Sequence, residues 1–227
     1  MYKEYCEQIL MNNTYKDFFI GYEVTVRNSL LFWEEEHRIY HTIENHLYPM
    51  FLHISAMNQA KSIKDMFYLA ALFHDVVYVP TRTDNELKSN EFFVELIQKK
   101  YRTSILVKEI ENMILGTIIS NRNIEHTMYS RLFFILDVKD LVFNGVDITI
   151  PIRNALLIRK EFSMVPDAQF IEGNDKIFDS LLGMDFIQQS FPEAQERLDL
   201  IKKFRNYCIK WEIKSMQEFF GKNLKII

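Results

Sequence analysis

The chain has 227 residues, a formal net charge of −4, 48% hydrophobic and 14% aromatic residues, and only 6 Gly and 5 Pro. So much apolar material excludes an intrinsically disordered chain. Gly and Pro fall below their usual shares of about 7% and 5%, which favours long helices over tight turns, and basic residues spread along the chain offer no stripe for a nucleic-acid duplex.

The opening MYKEYCEQIL is charged where a signal peptide needs an apolar run, and the longest uncharged stretch, residues 47–60, is too short to cross a bilayer. Two cysteines, Cys6 and Cys208, form no CxxC pair, so neither a disulfide framework nor a thiolate zinc site is expected. A cytoplasmic protein with no membrane association follows as the expectation. Residues 15–58 are dense in aromatic and aliphatic side chains, with Glu34-Glu35-Glu36-His37-Arg38 dividing them into helices. Ser62 and Asp65 then read as a variant capping box. The apolar stripe Ile63, Met66, Phe67, Ala70, Ala71, His74, Val77 follows at helical spacing up to Pro80, which puts His74 on a buried face.

Residues 76–79 read as a helix terminus rather than a strand, and the polar run 81–85 as a loop leading into a helix over 84–100. Amphipathic segments over 104–120, 127–143, 151–165, 167–182 and 192–220 complete the pattern. No linker or repeat interrupts it. One all-α domain over 1–227 is expected, a compact helical bundle whose motif-bearing core covers about 30–183 and whose helical extension covers about 184–227.

Chemistry concentrates in Tyr40-His41, with His46 nearby, and in Phe73-His74-Asp75. Imidazole and carboxylate together suit a divalent cation, and a carboxylate in an apolar wall needs a cationic neighbour or a proton. Asp137 sits among Phe133, Phe134 and Leu141 with no Lys or Arg at those helical neighbours. Two acids and two histidines on apolar helices converge only in a bundle core, where helical proteins build metal sites. A satisfied core His-Asp pair, and pairing of Asp137 with a distant Arg153 or Arg159, are the structural alternatives. Asp140 is a rival ligand to Asp137.

The order His41, His74-Asp75 33 residues later, and Asp137 62 residues after that resembles the H…HD…D signature of the HD superfamily. Arg38-Ile39-Tyr40-His41, Ala70 through Tyr78, Asp84-Asn85-Glu86, Ile135-Leu136-Asp137 and Ile158-Arg159-Lys160-Glu161-Phe162 are similar to the blocks of its predicted metal-dependent HD phosphohydrolases. The resemblance covers most of residues 38–182. It departs at two points. The family's second histidine, four residues after the Tyr-His histidine, is Asn45 here, with His46 one position further on and expected to point elsewhere. The histidine a few residues beyond the Thr matching Thr117 is also missing from Thr117-Ile118-Ile119-Ser120-Asn121.

The resemblance implies one divalent ion (Mn, Fe, Co, Ni, Zn or Mg) on His41, His74, Asp75 and Asp137, and water-driven hydrolysis of a small phosphorylated substrate, a nucleotide by family analogy. Glu86, with Asp84 as partner, is the candidate for orienting or deprotonating water. A purely structural role for Glu86, closing a Thr83-x-x-Glu86 capping box, competes with that assignment. Arg38, Arg159 and Lys160 are candidate phosphate contacts. The alternative function is a catalytically weak nucleotide-binding or regulatory protein of the same fold.

Overall fold

Every residue from Asp65 to Phe73 is buried, a pattern a helix shows only when other elements cover all its sides. The computed structural model describes residues 1–119, 126–140 and 149–210, and in it this segment is the central helix of a first compact unit, Met1–Val138. That unit comprises α1 (Tyr2–Met11), α2 (Tyr22–Phe32), α3 (Tyr48–Ala56), α4 (Lys61–Phe73), α5 (Asn85–Leu96), α6 (Ile105–Leu115) and α7 (Met128–Val138). Helices α1, α2, α3, α5 and α6 pack on α4, and α7 packs on α3 and α6. Phe51, Phe67, Phe73, Phe93 and Phe133 fill the space between them at zero exposure. At roughly 1.5–3 kcal/mol for each large apolar side chain buried, such aromatics dominate the stability of the unit.

A second compact unit begins at Lys139. It contains α8 (Thr149–Glu161), α9 (Asp167–Leu182), α10 (Asp185–Ser190) and α11 (Ala194–Lys210), with α11 packed on α8 and α9 and α10 on α9. The all-α expectation holds. Among the described residues there is no strand, only an isolated bridge between Phe19 and Ile97, and no helix there is long and apolar enough to cross a membrane.

Two local expectations fail for tertiary reasons. Helix α4 has Ala60 at its N-cap and no side-chain cap, so Ser62 and Asp65 form no capping box. Asp65 instead turns inward, accepting from the Thr14 backbone N–H (2.8 Å), the Thr14 hydroxyl (2.5 Å) and the Lys61 ammonium. A partner 51 residues away outcompetes the local one. The same helix stops at Phe73, with His74 at its C-cap, rather than continuing to Val77. The chain beyond it is held by side chains one turn apart on α5. Ser89 Oγ accepts from the Val77 N–H (3.1 Å) and donates to the Val77 carbonyl (3.2 Å). Asn85 does the same for Val79, at 3.0 Å in each direction. These pairings satisfy backbone groups that leave the helix without a sheet to join.

Candidate metal centre

Because α4 ends at Phe73, its last carbonyls and the negative end of its dipole lie beside His74 and Asp75. His74 Nδ1 lies 2.9 Å from the Ala71 carbonyl oxygen. A carbonyl can only accept, so Nδ1 carries the proton and Nε2 faces the opposite way. What it faces is a cluster. His74 Nε2 lies 3.0 Å from His46 Nε2, 3.0 Å from Asp75 Oδ2 and 3.4 Å from Asp137 Oδ1. His46 Nε2 lies 3.1 Å from Asp137 Oδ1 and 3.6 Å from Asp75 Oδ2. His41 Nε2 stands at the edge, 3.9 Å from Asp75 Oδ2.

His46 reaches this cluster through an irregular turn. Residues Ile43–Leu47 form a π-helical turn in which the Leu47 N–H bonds the Thr42 carbonyl at 3.1 Å and the Tyr48 N–H bonds that of Ile43. The Thr42 hydroxyl caps it by accepting from the Asn45 N–H at 3.1 Å, and the Asn45 side-chain amide donates to the Ile39 carbonyl at 2.9 Å. The extended Thr42 separates His41 from this turn, so no helical spacing relates the two, and the turn brings the sixth position, not the fifth, of the His41 segment to face His74. The expectation that His46 points elsewhere is therefore overturned. It rested on α-helical spacing, and the Thr42 to Asn45 cap was the one local sign that the turn begins after His41.

The floor of the site is dry. His74 and His46 side chains are 1% and 5% exposed, against Trp33 and Phe133, whose rings lie 5.6 and 5.7 Å from His74. Asp75, Asp137 and His41, at 12%, 17% and 18%, form the side open to solvent. Burial alone would raise the Asp75 carboxyl, but the His74 charge, with His41 and His46, pulls it far below the ordinary carboxylate range. Burial likewise opposes ionisation of Asp137, and hydrogen bonds from His46 and His74 bring it down to about 2. Burial pushes the His46 pKa down, against the pull of Asp137. For His74 burial is outweighed by Asp75 and Asp137, so its pKa is raised and it holds a proton between the two carboxylates.

That proton occupies a place suited to a larger cation. Metal–donor bonds of about 2.1 Å set neighbouring donors about 3.0 Å apart in an octahedral arrangement and about 3.4 Å apart in a tetrahedral one. The buried group His46, His74 and Asp75 has its donor atoms all within 4.8 Å of one another, and its pairwise spacings of 3.0, 3.0 and 3.6 Å span those values. This group can hold a metal ion.

Glu86, in the first turn of α5, belongs to the same electrostatic neighbourhood. Burial, then the charge of Asp75, raises its pKa to about 6. It forms no capping box, since α5 begins at Asn85 behind an N-cap Asp84 with no side-chain cap bond. Asp84 itself is 41% exposed and spent on a two-point pair with Arg82 at 2.8 and 2.9 Å. Arg38 is fully buried and donates to protein acceptors, including the Asp75 and Val76 carbonyls at 2.8 and 3.0 Å, a setting unlike that of the expected phosphate contact. Arg159 and Lys160 belong to the second unit. There Arg159 bonds the Phe162 carbonyl at 2.7 Å and the Asp167 carboxylate, and Lys160 is exposed in the last turn of α8. Asp140 also lies in that unit, its carbonyl accepting from Asn154 at 2.7 Å. The region of the second missing histidine begins at Thr117, whose hydroxyl bonds the Ile114 carbonyl at 2.7 Å, and continues outside the described residues at Ser120 and Asn121. No family model, curated protein or solved structure matches the chain.

Proposed function

We propose that the chain is an HD-type metal-dependent phosphohydrolase, acting on a small phosphorylated substrate, a nucleotide by resemblance. The observation that carries this reading is the meeting of three separate segments, in which His46, His74 and Asp75 stand at coordination spacing and Asp137 approaches both imidazoles, with a protonatable Glu86 beside them. His46, His74 and Asp75, with Asp137 beside them and His41 at the rim, would hold one divalent ion. Imidazole donors favour Mn, Fe, Co, Ni or Zn over Mg. When bound, such an ion supplies Lewis acidity for a phosphoryl oxygen and lowers the pKa of water.

The remaining chemistry belongs to the chain. His74, fixed by Ala71, keeps Nε2 turned to the centre, the orientation a ligating imidazole requires. Asp75 and Asp137 offset the charge of the ion, and the Trp33 and Phe133 floor keeps water on one side only. Glu86, with a pKa near neutrality, takes the proton of the attacking water, and bond cleavage returns a proton to the leaving oxygen.

The test is hydrolysis of a panel of nucleotides and generic phosphoesters by purified protein, before and after chelation and after adding back each divalent metal. Turnover that vanishes on chelation and returns with metal is the expected result. Nucleotide binding with no turnover under any metal would favour the regulatory alternative.

A further inference from the structure

We infer that Arg38 is a positioning residue that sets the geometry of the metal centre, an inference that rests on the metal-binding reading above. Its guanidinium joins two stretches that carry ligands. Nη1 donates to the Asp75 carbonyl at 2.8 Å and reaches the His41 carbonyl at 3.4 Å, Nη2 donates to the Val76 carbonyl at 3.0 Å, and Nε donates to Glu35 at 3.2 Å. One planar fork thus ties the backbone of His41 to that of Asp75, the pair whose side chains approach to 3.9 Å at the open edge of the site.

The stretch it holds is one that no helix or sheet holds. Helix α4 has ended at Phe73, and the Asp75 and Val76 carbonyls find their acceptor bonds in Arg38. The guanidinium also lies over two aromatic rings, 5.4 Å from the Trp33 ring centre and 5.3 Å from that of Tyr78. Trp33 lies under His74, and the Tyr78 ring lies 4.1 Å from that of His41. Arg38 is therefore packed against the neighbours of two imidazoles while bonding the backbone of Asp75 and of His41 at the rim. Lysine cannot replace it, because three donors on one tetrahedral nitrogen cannot straddle carbonyls lying in different directions as a flat fork does.

The experiment titrates Co(II) into metal-free wild type, Arg38→Lys, Arg38→Met and Asn13→Ala, well below each Tm, and follows the visible Co(II) absorption. Asn13→Ala is the control for destabilisation alone, since its buried amide bonds the Asp65 carbonyl far from the site. Both Arg38 variants are expected to bind Co(II) about ten- to a hundredfold more weakly, the range for groups that orient metal ligands, and with a shifted spectrum. Asn13→Ala is expected to lose Tm yet keep wild-type affinity and spectrum. If Arg38→Met does not fold, Arg38→Lys alone carries the comparison. Wild-type affinity and spectrum in the folded Arg38 variants would overturn the positioning role and leave the metal site standing. Failure of wild type itself to bind Co(II) would overturn both.

Discussion

Glu86 and His74 carry opposite burdens, and each gives a measurable pH dependence. The folded protein raises Glu86 from 4.5 to about 6, so it binds that proton more tightly than the unfolded chain does. Stability of the metal-free protein then falls as pH rises from about 4.5 through 6, by about 2 kcal/mol from this group. Glu86→Gln has no such loss. Its Tm is expected to exceed that of wild type above pH 6, with the gap closing below pH 4.5; parallel Tm curves would contradict the assignment. The same variant is expected to keep its metal while hydrolysis falls about a hundredfold or more. For His74 the raised pKa means that metal uptake must expel a proton. Metal affinity is expected to increase with pH through neutrality, and calorimetry in buffers of different ionisation enthalpy would count the protons released. An affinity independent of pH would show that His74 is not a ligand. The apolar setting of Asp137 was legible from its aromatic neighbours Phe133 and Phe134, while its two imidazole partners, on other segments, were not.

At the scale of elements, α9 runs over Asp167–Leu182 as expected, because Pro166 before it and Gly183 after it punctuate a locally amphipathic stretch. Helix α4 was less legible. Its buried stripe is plain in the sequence, but its start departs from the local pattern because Asp65 is claimed by Thr14, and its end because Asn85 and Ser89 on α5 capture the chain that follows. Asn85→Ala, which leaves the Val79 N–H unpaired while the Val79 carbonyl keeps the Arg82 N–H at 3.0 Å, is expected to cost about 1–3 kcal/mol in denaturant unfolding. The π-helical turn is the element that sequence periodicity could not supply, since a period of 3.6 assigns the inward place to Asn45. Exchanging the two residues, Asn45→His with His46→Asn, restores the family spacing on paper. In this fold it is expected to weaken metal binding by about tenfold or more, because the turn still aims residue 46 at His74. Undiminished binding in the exchanged variant would mean that the turn relaxes to an α-helix at little cost.

For the whole molecule, the shortage of Gly and Pro made the all-α class readable, whereas the division at Val138 left no compositional mark, having neither a linker nor a low-complexity run. All four side chains of the cluster lie in the first unit. A ligand that binds only the folded state stabilises by about 2.7 kcal/mol at a hundred times its Kd, so saturating metal is expected to raise the Tm of the transition that unfolds this unit. Metal stoichiometry tests the central claim most directly. Elemental analysis of purified wild type, His74→Ala and Asp75→Ala is expected to find close to one divalent ion per wild-type chain and almost none in either variant. Full metal in both variants, or no metal in a wild-type protein offered each candidate ion, would contradict the account.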